Sequence, residues 1–256
     1  MREFRVGKRQ TSAILVILGC VSLACNLHHS GRSVAISGSK VEYRTVRHSK
    51  SGASIPQLTH HRSPVVQDVV NRQLESLAAS LQCDTQGNLE NPDHFDSTTR
   101  VTYAADEVLS LSVHASYYCG GPYPTNDANL SMTFDMRTGL AVSFEELFSD
   151  YERDAESIAR ALYPERIARA EHLAATGHEE PGETCDDAFT LSVPHLLESG
   201  FSYALSEEGL IVQPNFPHVS EACAEQIVVP YARLRQFAAP DGILARVADA
   251  NRSAPN

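Results

Sequence analysis

The sequence predicts an α+β fold in which an antiparallel β-sheet packs with helices and carries two disulfides. Three observations support this. Residues 108–119 carry a twofold period of apolar and polar side chains, the period of a long half-buried antiparallel strand. Residues 64–81 and 151–175 repeat apolar positions three and four apart, the period of helices with one buried face. Cys83, Cys119, Cys185 and Cys223 lie in the body of the chain, an even number suited to disulfides in an oxidising compartment.

The elements follow in order. Residues 1–24 read as a signal peptide: a basic start, MREFRVGKRQ, precedes an apolar run, TSAILVILGCVSLA, that is short for a membrane-spanning helix. Small residues then lead to Cys25, the expected lipidation site, with Cys20 as the alternative and a secreted soluble protein as the other reading. Residues 25–39 are small and polar, the composition of a tether. Val41, Tyr43 and Thr45 alternate with Glu42 and Arg44 in a first strand, and 54–58 is an antiparallel second. Ser63-Pro64 starts a helix, with serine as N-cap and proline at the first helical position. Val65, Val66, Val69, Val70, Leu74, Leu77, Ala78 and Leu81 follow on its apolar side. Residues 84–97 read as a polar loop.

Strands at 100–104 and 108–119 flank the turn Ala105-Asp106-Glu107. The second puts Leu109, Leu111, Val113, Ala115 and Tyr117 on one face and Ser110, Ser112, His114, Ser116 and Tyr118 on the other. Gly120-Gly121-Pro122 ends it. Residues 127–136 alternate again, with Ala128, Leu130, Met132, Phe134 and Met136 inward, up to the turn Arg137-Thr138-Gly139. Ser143 and Glu146 form a capping box, with Val142 and Leu147 placed as a hydrophobic staple. Asp150 caps a longer helix that Pro164 interrupts. Residues 178–187 form an acidic loop. Strands are expected at 201–205, 210–213 and 226–231, the first two joined by a turn at 206–209. A helical turn at 232–237 precedes a C-terminal tail, 241–256, expected to fray after Asp249.

Composition excludes several roles. The net charge is -11, and the first 25 residues hold Arg2, Arg5, Lys8 and Arg9 against Glu3, which leaves -14 on the rest. Phosphate attraction needs a basic surface, so nucleic acid is not an expected partner; a cationic partner is allowed. Nucleotide-binding glycine motifs, a G-x-S-x-G elbow and H-E-x-x-H are absent from the sequence. His114 lies beside Ser112 and Ser116, and the remaining histidines read as ordinary surface or half-buried residues. Glu179, Glu180, Glu183, Asp186 and Asp187 around Cys185 lack the spacing of a calcium loop. No metal or cofactor is therefore expected. Tyr118, Gly120, Gly121 and Tyr123 form the candidate binding surface, because Gly-Gly permits close backbone approach and tyrosine suits interfaces.

The order YYCGGPYP (117–124), LSMTFDM, RTG and LAVSFEELFSD resembles the C-terminal half of RsiV-like and PdaC-associated extracytoplasmic domains, of the domain of unknown function 3298 type. FSYALSEEGLIV (201–212) and QIVVPYARL (226–234) resemble that family's closing strands, while SIPQL (54–58) and Val70-Asn71-Arg72-Gln73-Leu74 resemble its N-terminal portion. The resemblance implies a PdaC-like portion over 40–98 and an RsiV-like portion over 99–240. It implies an exported or membrane-anchored binding or sensory domain that does no chemistry itself, since relatives bind lysozyme or accompany a peptidoglycan deacetylase module. Pro122-Tyr123 replaces the Ala-His of many relatives, so a role tied to that histidine does not carry over. The expected partner is a protein or cell-wall ligand, met at the membrane or cell surface. Two alternatives stand beside it: a cell-wall hydrolase or deacetylase-associated enzyme, with His114 and Asp106 or Glu107 as candidates, and a structural envelope lipoprotein.

Overall fold

A computed structural model describes residues 41–83, 94–118, 126–176 and 192–253. Strands β1 (Glu42–Arg47) and β2 (Ser54–His60) form an antiparallel hairpin. Helix α1 (Pro64–Ser80) starts as its sequence requires: the Ser63 hydroxyl accepts from the Val66 N–H and proline stands at the first position. Its buried stripe is Val66, Val70, Leu74 and Ala78. Val65, read as part of that stripe, is instead 71% exposed, because it lies one residue to the side of the face that meets the sheet.

Strands β3 (His94–Ala105), β4 (Val108–Tyr118), β5 (Asn126–Asp135) and β6 (Leu140–Ala141) form one antiparallel sheet in that order. The polar loop expected up to residue 97 gives way to strand at His94, because β4 runs the full length of β3 and pairs His94 with Tyr118. Phe95 stacks on Tyr117 at 5.3 Å within this extension. The apolar face of β4 and β5 packs against α1 and the β1–β2 hairpin, burying Leu109, Leu111, Val113, Phe134 and Met136 with Ile55, Leu58, Val70 and Leu74. Leu130, expected inward, is 38% exposed, although its ladder partner Val113 is buried.

The second half of the chain builds a separate core. The Ser143–Glu146 capping box is reciprocal: Ser143 N–H donates to Glu146 Oε2 at 2.7 Å and Glu146 N–H to Ser143 Oγ at 3.4 Å. It opens only one 3-10 turn, Glu145–Leu147, because Phe148 turns extended and bridges to Ala238. Helix α2 (Tyr151–Leu162) is capped by Asp150, and α3 (Pro164–Thr176) follows the proline. Helix α4 (Val193–Ser199), unforeseen in the sequence reading, has Ser192 as N-cap and Pro194 in its first turn. Strands β7 (Phe201–Leu205), β8 (Leu210–Pro214) and β9 (Ile227–Val229) form a three-stranded antiparallel sheet. Helices α5 (Tyr231–Leu234) and α6 (Ile243–Ser253) complete this half.

The stretch read as a tail is thus corrected. Ile243, Leu244, Val247 and Ala248 of α6 are buried in the larger core with Leu205, Leu210 and Leu234. The apolar residues of 243–248 recur at helical spacing, and Arg246 anchors the helix through Glu107 at 2.9 Å and Asp135 at 3.2 Å. Among the described residues, no helix is long and apolar enough to cross a membrane.

Candidate binding groove

The polar face of β4 and β5 meets two fates along its length. In an antiparallel ladder directly opposed residues share a face, so Ser110–Thr133, Ser112–Ser131, His114–Asn129 and Ser116–Asp127 form four successive polar pairs. The first is sealed. Ser110 and Thr133 are fully buried, 2.7 Å apart, and Ser110 Oγ accepts the Leu205 N–H at 2.8 Å. Ser131 Oγ accepts the Tyr203 N–H at 2.8 Å, and the Ser202 hydroxyl donates to the Asn129 carbonyl at 3.0 Å. Small hydroxyl side chains therefore join β7 to the face of the four-stranded sheet.

Farther along, that face emerges from beneath β7. There a groove of about 110 Å³ is lined by Ser112, His114, Asn129, Ser131, Gln213 and Gln226, among others. His114 Nδ1 lies 3.0 Å from Asn129 Oδ1, so with the amide oxygen accepting, Nδ1 carries the proton. His114 Nε2 then faces Asp127 Oδ1 at 3.9 Å. Both side chains are more than half exposed, so this pairing contributes little to stability. The groove presents hydroxyls, amides and one imidazole, which suits hydrogen bonding to a polar partner.

The strongly perturbed groups act structurally, and of them only Tyr203 borders this groove. Burial pushes the Tyr163, Tyr203 and Tyr231 phenols up, and each donates to backbone carbonyls: Tyr163 to Val212 and Glu225, Tyr203 to Val142, Tyr231 to Ser206. A second cavity, of about 410 Å³, lies between α2, α3 and α4 over Ile167, Ala170, Val193 and Leu197. Arg160 bonds both Glu156 and Glu171 at its rim.

Of the residues singled out in the sequence, Tyr118 ends β4, half-buried, one turn of the pleat beyond Ser116. Gly120, Gly121 and Tyr123 lie outside the described residues, as do Cys20, Cys25, Cys119, Cys185 and the acidic loop. His114 is not brought to Asp106 or Glu107. Those residues sit in the turn before β4, roughly 20 Å away at a strand's rise of about 3.3 Å per residue, and Glu107 is held by Arg246. His48 and His61, read as surface or half-buried, are buried: their Nδ1 atoms accept the N–H of Ser51 and Ser63. Asn129, Gln213 and Gln226 escaped the sequence reading. Asn129 shared the alternation that exposed His114, whereas Gln213 of β8 and Gln226 just before β9 come from about 100 residues away and had no local signal.

No family model matches the chain, and no curated protein matches it. Solved structures resemble it, two of them as follows. One is a DUF3298 family protein from Pseudomonas aeruginosa PAO1, 13% identical with a TM-score of 0.34; the match covers 57% of this chain and 62% of that one. The other is a member of the DUF3298 family from Bacteroides fragilis NCTC 9343, 9% identical with a TM-score of 0.44, covering 86% of this chain and 97% of that one. Both carry the name of an uncharacterised domain family.

Proposed function

We propose that this chain is an exported, envelope-anchored binding or sensory domain of the RsiV-like and PdaC-associated kind, and that it engages its partner without chemistry of its own. The observation that carries the reading is the groove at His114. Its lining offers hydrogen-bond donors and acceptors from four strands of two sheets, positioned by the ladder and by the serine bridges to β7. Tyr118 stands four residues along β4 from His114, on the same face of the strand. The acidic balance of the chain favours a cationic protein or a polar cell-wall ligand.

Export rests on the basic-then-apolar N-terminus, and anchoring on Cys25 after Ser22-Leu23-Ala24. Disulfides Cys83–Cys119 and Cys185–Cys223 belong to the same proposal. Cys83 Sγ lies 3.4 Å from the carbonyl oxygen of Tyr118, the residue before Cys119, which supports the first pairing.

The full-length chain, captured on beads, is tested against cell-wall fragments and lysozyme-like cationic proteins. Retention of one class is expected, with a loss of about ten-fold or more in His114→Ala combined with Gln213→Ala. Absence of binding to either class, or binding that the groove variant leaves unchanged, overturns the reading. Cys25→Ala should abolish lipid labelling and release the protein from the membrane fraction; continued labelling would move the anchor to Cys20 or elsewhere.

A further inference from the structure

Sheet edges expose unpaired backbone N–H and C=O groups, and proteins ordinarily blunt them. In the two larger sheets three of the four edges are managed. Strand β6 is two residues long, and the Gln73 side chain bonds the Gly139 carbonyl and the Ala141 N–H beside it. Strand β7 gives its Tyr203 and Leu205 N–H groups to the hydroxyls of Ser131 and Ser110. Strand β9 is three residues long and Pro230 follows it. Strand β3 differs. It runs twelve residues, and among the described residues its ladder is with β4 alone; β2 and β7 come near it without ladder bonds. Its register break falls between Val101 and Tyr103, so Phe95–Val101 is regular and holds neither proline nor lysine.

That stretch, Phe95-Asp96-Ser97-Thr98-Thr99-Arg100-Val101, is complementary to itself when reversed. We propose that β3 pairs antiparallel with β3 of a second copy of this chain, about a two-fold axis at Thr98. Directly opposed residues then match in kind: Asp96 faces Arg100 of the second copy twice over, Ser97 faces Thr99, Phe95 faces Val101, and Thr98 faces itself. Asp96, Thr98 and Arg100 are exposed on one face of the strand, where the charge pairs form. An axis at Thr99 would set Arg100 against Thr98 and Asp96 against Thr102, losing both ion pairs. Opposite charges therefore select the register, and the contact is isologous, so it closes at two copies rather than growing into a filament. The two four-stranded sheets run on as one across the axis.

Cross-linking of the full chain in its own membrane tests this without presuming a ligand. Opposed Cα atoms in an antiparallel pair lie about 4.5–5.5 Å apart, within disulfide reach. Thr98→Cys should therefore give a covalent dimer on non-reducing gels that the unsubstituted chain does not give. Arg100→Cys should not, because the two Arg100 positions are offset by four residues, about 13 Å along the strand. Adding Arg100→Asp to Thr98→Cys should cut the dimer about ten-fold, and adding Asp96→Arg as well should restore it. No dimer from Thr98→Cys, equal dimer from Arg100→Cys, or indifference to Arg100→Asp each overturns the proposal. Because binding at the His114 groove is assayed separately, either proposal can fail without the other.

Discussion

Ser110 is a small polar residue in the middle of a core, and its single hydroxyl holds two elements together. Its oxygen accepts the Leu205 N–H and shares a second hydrogen bond with Thr133 Oγ1 at 2.7 Å. Ser110→Ala strands a buried N–H and should cost about 1–3 kcal/mol in urea unfolding. Gly209 acts through space rather than through bonding. A Cβ there would come within 2.3 Å of the Val229 carbonyl oxygen, so Gly209→Ala must push β9 away from the β7–β8 turn. A loss of about 1–3 kcal/mol is expected, measured the same way. Neither role was legible in the sequence. Ser110 alternates with Leu109 and Leu111 as a solvent-facing serine would, and only the arrival of β7 from 95 residues away makes it a buried bridge.

At the scale of elements the local signals held. Ser63 and Asp150 cap α1 and α2 through the N–H three residues on, and Ser143 and Glu146 close a capping box. Replacing Ser63 or Asp150 with alanine should lower stability by about 1 kcal/mol each, a fall of about 2–4 °C in thermal melting for a domain of this size. Caps are readable because they depend on residues three apart. Helix α4 carried the same kind of signal, Ser192 followed by Pro194, but its seven residues are too short for a periodic apolar stripe to stand out. The start of β3 was hidden for the opposite reason. Residues 94–97 are mostly polar and become strand through pairing with β4, a long-range event rather than a local preference.

At the scale of the molecule, α6 closes the fold across the turns of the four-stranded sheet. Arg246 meets Glu107 after β3 and Asp135 at the end of β5, and Asp135 also binds Arg137. Burial pushes the Asp135 carboxyl up, but hydrogen bonds from Arg137 and the charges of Arg246 and Arg137 outweigh it and hold the carboxyl below its ordinary range. A depressed folded-state value stabilises the fold above the unfolded value of about 3.9. That contribution is lost as pH falls through the folded value. Urea unfolding should therefore weaken below about pH 4, and Asp135→Asn should lower stability at neutral pH while flattening that acid limb. Ending the chain at Gly242 should cost more than any of these substitutions, since it uncovers the apolar surface that Ile243, Leu244, Val247 and Ala248 cover. The sequence by itself determined the α+β class, the caps, the turns and the face on which His114 stands, because each depends on neighbours within one strand or one helical turn. Tertiary structure alone decided which half of the polar face is sealed and which half forms a groove. It also turned an expected tail into a core helix and, among the described residues, left β3 laddered on one side only. Burial of a face is set by the element that covers it, and here that element comes from the far half of the chain.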